Sequence, residues 1–257
     1  MKLRQTSPRD GLRWMMTGLT RLRAAPMALA GLFAMVMLLL SLLLGLPWIG
    51  PLLVALLLPA LGAGWYQVGR SMQDGGGTPG PAQLLAPLRS PTRKVLLQLG
   101  AAKAIGAWLL LEIGDLLDPD MAAAWDAFRA GQGGDATMLE AVATLQQGMM
   151  LRAALLLPLL LAFWHAPAVA LRTGAGAAKA LFVSVTASTR NIGAFVVYGL
   201  AWLGADLMMS ALLGALVGLL GMGAIGMVLV LPAVLLFSAG FHVSMQASVD
   251  GCIAFED

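Results

Sequence analysis

Long apolar runs constrain this chain more than any other feature. They lie near residues 27–46, 50–69, 95–117, 151–171, 192–218 and 222–246. A helix needs roughly 20 apolar residues to cross the hydrocarbon of a bilayer. No water in that layer can satisfy a backbone N–H or C=O, so each run must close its own hydrogen bonds as a helix. Composition agrees: of 257 residues, 59% are hydrophobic and 11% charged, where soluble domains carry about 25% charged residues. The fold class expected is all-α integral membrane, with six transmembrane helices as three hairpins. The last two runs are long enough to tilt or protrude. The first lies behind a basic segment and is too long for the short apolar core of a cleavable signal. Cys252 is the only cysteine, which excludes an internal disulfide and a thiolate-clustered metal site.

Cations set the orientation, because Lys and Arg flanking a span are held on the cytoplasmic side. Lys2, Arg4, Arg9, Arg13, Arg21 and Arg23 precede the first run. Arg70, Arg89, Arg93 and Lys94 lie between the second and third, and Arg172, Lys179 and Arg190 between the fourth and fifth. All three basic segments then share one face. The 118–150 connection on the other carries Asp118, Asp120, Asp126, Asp135 and Glu140 against Arg129 alone. Both termini are expected in the cytoplasm of a bacterium, the protein being multi-pass in the inner membrane. Trp14, Trp65 and Tyr66 are expected at the inner interface, and Trp48 and Trp108 toward the outer one.

The 118–150 connection has its own helix signals. Asp118-Pro119 is a start signal, and Thr137-Met-Leu-Glu140 fits a capping box for a second short helix, with Gly131-Gln-Gly-Gly134 between. A periplasmic two-helix insertion is expected.

Similar segments recur at Leu22-Arg-Ala-Ala-Pro26, Leu88-Arg-Ser-Pro91 and Thr189-Arg-Asn-Ile192, each after an amphipathic stretch and before a span. The first stretch sets Leu12, Met15, Met16, Leu19 and Leu22 on one stripe, with Arg13, Thr17 and Arg21 opposite. Such a helix lies in the headgroup region, with cations toward anionic lipid. Residues 81–90 and 176–190 are weaker versions. Three internal units follow, 8–70, 81–171 and 174–250, each a cytoplasmic interfacial amphipathic helix and a hairpin. Arg9, Arg13, Arg21, Arg23, Arg89 and Arg190 are the expected lipid contacts.

Small residues mark faces where helices approach in lipid. They occur as Ser210, Gly214 and Gly218, as Gly100, Ala104 and Ala107, as Ala102 and Gly106, and as Gly221, Gly223 and Gly226. Pro51, Pro59, Pro158, Pro167 and Pro232 kink their spans unless they fall in a first turn.

Ionisable groups at membrane depth are costly and mark candidate sites. Lys103 lies about 12 Å into the third span and Asp206 roughly 21 Å into the fifth, at 1.5 Å rise per residue. Their depths predict an ion pair, either a structural clasp or the core of an ion-coupled site. His165 and His242 fall at similar depth in the fourth and sixth spans, as hydrogen-bonding residues or as lining of a ligand cavity. Arg152 is expected to pair with Glu112 or Asp115. No zinc-protease, phosphate-loop or nucleophile-elbow motif occurs. No catalytic residue, metal or cofactor is expected, and no nucleic acid, since the basic segments serve topology.

Phe163-Trp-His-Ala-Pro-Ala-Val169, Ala178-Lys-Ala-Leu-Phe-Val-Ser184, Arg190-Asn191 and Ala194-Phe-Val-Val-Tyr-Gly199 together resemble a family of uncharacterised proteobacterial inner-membrane proteins. Gly11-Leu-Arg-Trp14 and the run Pro51 to Pro59 are similar to the same family. More distantly, the helix-and-hairpin pattern resembles the membrane domain attached to some glycerophosphodiester phosphodiesterases, without their catalytic barrel. The resemblance implies an inner membrane and no assigned reaction. The expected role is a non-catalytic accessory or scaffold component that engages lipid or a larger membrane complex. The alternative is a transporter or lipid-handling protein with a cavity near Lys103, Asp206 and His165.

Overall fold

Proline decides where several helices begin. Pro26, Pro51, Pro81 and Pro167 each occupy the first or second position of a helix, where a missing N–H costs nothing. A computed structural model describes residues 1–130, 135–221 and 226–255. The chain runs β1 (Lys2–Leu3), α1 (Asp10–Ala24), α2 (Pro26–Leu44), α3 (Gly50–Gln73), α4 (Pro81–Arg89), α5 (Arg93–Leu117) and α6 (Asp120–Ala130). It continues through α7 (Asp135–Phe163), α8 (Ala166–Thr173), α9 (Ala177–Arg190), α10 (Ile192–Leu219), α11 (Met227–Cys252) and β2 (Ile253–Ala254). Among the described residues, six helical segments are long and apolar enough to span a membrane: α2, α3, α5, α7 continuing into α8, α10 and α11. The protein is an all-α membrane protein.

The acidic connection differs from expectation in one respect. Its first helix is α6, but the second is not separate: α7 runs unbroken from Asp135 to Phe163. Leu139 to Gln147 contains only good or neutral helix formers and no breaker, so the helix continues into the span. Its end comes at Trp164-His165, just before Pro167, and α8 starts afresh. Gly131–Gly134 and Gly223 lie outside the described residues, as does the side chain of Thr137.

Short helices and hairpins are linked out of step. Helix α4 packs on α3, and α9 on α7 and α8, so each docks on the hairpin that precedes it. Helix α1 packs on α10 and α11, the last hairpin of the chain. These approaches need glycine. A Cβ on Gly64 would stand 2.1 Å from the Leu84 carbonyl oxygen, and one on Gly18 would stand 2.4 Å from Ser244 Cβ. The chain ends close the same face: β1 and β2 pair antiparallel, and the Arg4 N–H donates to the Cys252 carbonyl at 2.8 Å.

Helix α3 is the hub, touching α2, α5, α8 and α11. The core lies toward the basic face, where Trp14, Phe195, Tyr198, Trp164, Phe241 and Trp202 stack edge to face around α1. Trp14, expected at the interface, is only 4% exposed, and Trp65 and Tyr66 are buried too. Rings of this size gain more from the protein interior than from headgroups once a helix covers them. Trp48 and Trp108 do face outward, Trp48 at 96% exposure. Toward the acidic face the helices spread, and α10 is exposed along most of its length.

Candidate functional site

The second spans of the three hairpins, α3, α7–α8 and α11, converge on a crevice of about 230 Å³. Helix α2 adds Val36, Met37 and Leu40, and α5 adds Lys103. Trp65, Pro59, Phe163 and Pro167 are buried in its walls, whereas Met37, Leu58 and Leu160 are exposed at its rim. On α3 and on α7–α8 the exposed lining residue precedes the buried ones. The crevice therefore closes toward the basic face and opens toward the acidic half.

Its polar groups are few. Lys103 has no hydrogen bond or ion pair among the described residues. His242 stacks against Phe33 at 5.1 Å and Trp65 at 5.4 Å between ring centroids. Its Nδ1 lies 2.7 Å from the Ser238 carbonyl and must carry the proton there, so the neutral ring keeps Nε2 as an acceptor. Trp164 Nε1 donates to Ser248 Oγ at 2.8 Å and holds the indole in the wall. An ammonium, an imidazole and apolar rings in one half-open space suit an anionic group attached to an apolar chain.

The expected Lys103–Asp206 ion pair does not form. Lys103 faces the crevice from α5, whose neighbours are α3 and α7, while Asp206 sits on α10, beyond them. Depth within reach of a side chain does not make two helices adjacent; the packing order around the bundle does.

The histidines also part company. His165 is fully buried at the α7–α8 break, with its N–H donated to Ser184 Oγ at 2.9 Å. Ser188 Oγ spends its proton on the Leu161 carbonyl at 2.8 Å, so it accepts from His165 Nδ1 at 3.2 Å. His165 thus pins α9 to the break and is absent from the crevice lining, where His242 is present.

A second polar cluster lies at the basic face. Asp250 accepts from Tyr66 at 3.0 Å and from Gln246, and Arg70 stands 3.9 Å away. Arg4 donates to the Asp250 carbonyl at 3.2 Å. The sequence pattern did not single out Asp250; a lone carboxylate in the last turn of the last span, facing an arginine-rich end, is the signal that marks it. Arg21, expected to meet lipid, instead turns inward, donating to the Val243 carbonyl at 3.2 Å. Burial lowers its pKa while Asp250 raises it. Gly18 brings α1 too close to α11 for that side of the helix to stay in lipid. The face of α1 turned inward is Gly11, Trp14 and Gly18, so Leu12 and Met16 of the expected stripe are left exposed. Arg9, Arg13, Arg23, Arg89 and Arg190 are exposed on the basic face.

At the acidic end Arg152 joins α7 to α5 through Asp115, as expected, and also through Asp118 at 3.0 Å. Glu112 is not a partner of Arg152 among the described residues.

Compared with known proteins, the chain is 29% identical over 275 residues to a Burkholderia thailandensis protein named "Probable inner membrane protein". The match covers 100% of this chain and 96% of that one. No family model matches, and no solved structure matches. The likeness to proteobacterial inner-membrane proteins therefore stands on this relative, and it does not reach the phosphodiesterase-linked membrane domain.

Proposed function

We propose that this multi-pass inner-membrane protein is a lipid-handling protein that holds the anionic end of an amphiphile in the axial crevice. The single supporting observation is Lys103, a lysine within an apolar span that lines the crevice and has no carboxylate partner among the described residues. Such a group needs an anion or must lose its proton. At about 230 Å³ the crevice is below the roughly 300–1,000 Å³ of sites that swallow a whole drug-sized ligand. The occupant is accordingly a carboxylate or phosphate with the adjoining part of one chain, and its remainder lies in the bilayer. No catalysis belongs to this reading. The positive-inside rule supports a cytoplasmic position for the basic face.

Extraction in a lipid-retaining polymer, followed by mass spectrometry of bound lipids, tests it. Wild type should retain one class of acidic amphiphile above its bulk abundance, and Lys103→Met should lose that enrichment while staying folded. Equal retention by both proteins rules the reading out.

An accessory role in a larger membrane assembly is the second reading. The observation that favours it is the exposure of α10.

A further inference from the structure

The inward face of α10 begins as a buried stripe, Ala194, Phe195, Tyr198 and Trp202, packed against α1 and α11. Trp202 meets Phe237 with ring centroids 5.1 Å apart. Asp206 comes one turn later on the same face and has no hydrogen bond or ion pair among the described residues. Past this level the two helices of the hairpin meet again only near its turn, where a Cβ on Gly226 would stand 2.7 Å from Val217, among the described residues. Leu207, Met208 and Leu212 of α10 and Val228, Leu231 and Val234 of α11 are all exposed.

From Asp206 the stripe continues at one-turn intervals through Ser210, Gly214 and Gly218. A Cβ on either glycine would meet nothing within 4 Å. Small residues in this register allow two helix backbones to approach closely, which an acyl chain does not require. The other two first spans already have such a neighbour, for α2 is covered by α11 and α5 by α3. Helix α10 is uncovered at the corresponding place. Asp206 lies about 21 Å from the start of α10, at 1.5 Å per residue, and so near its middle. Lys103, the cation of the third span, lines the crevice instead.

We infer that α10 is a docking surface for a transmembrane helix of another protein, which carries a lysine or arginine to meet Asp206. Charge complementarity selects the occupant: a carboxylate at this depth calls for a cation, and among the described residues none pairs with Asp206. The inference rests on the accessory reading and adds to it the surface and the partner's chemistry.

The test places a photo-crosslinking side chain at Ser210 in native membranes, with Leu38 on α2 as the control position. One adduct of defined mass is expected from Ser210 and none from Leu38, and the captured helix should bear an intramembrane lysine or arginine. Asp206→Ala should cut the adduct at least tenfold and Asp206→Glu should restore it. Both variants should leave thermal unfolding unchanged, since Asp206 has no hydrogen bond or ion pair among the described residues. Adduct formation indifferent to Asp206→Ala overturns the inference, as does a captured helix without a cation or a second copy of this chain at Ser210. A partner that crosslinks only from other faces overturns the inference but leaves the accessory reading intact. A protein that extracts alone and crosslinks to nothing overturns both.

Discussion

Asn191 holds Thr6 by two hydrogen bonds, its Oδ1 accepting from the Thr6 backbone N–H at 2.7 Å and from the Thr6 hydroxyl at 2.9 Å. Its amide nitrogen donates to the Arg4 and Ala187 carbonyls, so a buried side chain at the α9–α10 junction is fully used. The N-terminal segment is thereby fixed to the last hairpin, next to its strand pairing with residues 253–254.

Asn191→Ala should cost about 2–4 kcal/mol, because several bonds of about 1 kcal/mol each are lost and buried carbonyls are left unpaired. Limited proteolysis at residues 1–9 should become faster, with the spans intact. An N-terminal segment as resistant as in wild type contradicts this.

Close backbone approach makes a second prediction. Gly18→Val should displace α1 from α11 and lower stability by about 2 kcal/mol or more, since the new side chain meets the Gly240 carbonyl and Ser244 within 2.7 Å. Gly31→Ala is the control, for its Cβ would meet nothing within 4 Å, and the change should be neutral or slightly stabilising. Thermal unfolding in detergent compares the two.

At the acidic end, Arg152→Gln should loosen α5 from α7. Arg152 and Asp118 are mostly buried but the other partner, Asp115, is 66% exposed, so solvent screening of that half of the clasp keeps the cost to about 1–2 kcal/mol. Combining it with Asp118→Asn should cost less than the sum of the single changes. Strict additivity in a double-mutant cycle means that the two side chains do not interact.

Asp10 gives the N-terminal turn of α1 a pH dependence. Its carboxylate accepts from the Ser7 backbone N–H at 2.8 Å and the Ser7 hydroxyl at 2.9 Å, with Arg13 beside it, which holds its pKa below the ordinary 3.8. A depressed carboxylate stabilises the fold above its unfolded value, and the contribution fades as the pH falls through the lower folded value. The Ser7 amide resonance should therefore titrate below pH 3.8. Asp10→Asn should abolish that titration.

Much of the architecture was legible in the chain. Apolar length gave the spans to within a few residues, except where α7 extends into the acidic connection and where α11 runs on past 246 to Cys252, because burial in hydrocarbon demands helix whatever the neighbours are. Pro26, Pro51 and Pro81 marked helix starts for a purely local reason, the fixed φ and missing N–H. The Arg152–Asp115 clasp was also readable, since both residues lie at the acidic ends of spans joined by one connection.

The contents of the site were not readable in the same way. Depth along a helix is a property of sequence position, so the sequence could set Lys103 and Asp206 within apolar runs but not beside particular neighbours. Which helices touch is set by side-chain packing and glycine contacts between segments far apart in the chain. These set Lys103 beside His242 in the crevice, left Asp206 outside it, and turned Arg21 toward the Val243 carbonyl. The sequence by itself determined the spans, their helical state and the separation of basic from acidic faces, because hydrophobic length and charge act segment by segment. Only the tertiary structure decided the order of helices around the bundle, and with it which polar groups share a cavity, because that order minimises exposed polar backbone and unfilled volume over the whole molecule at once.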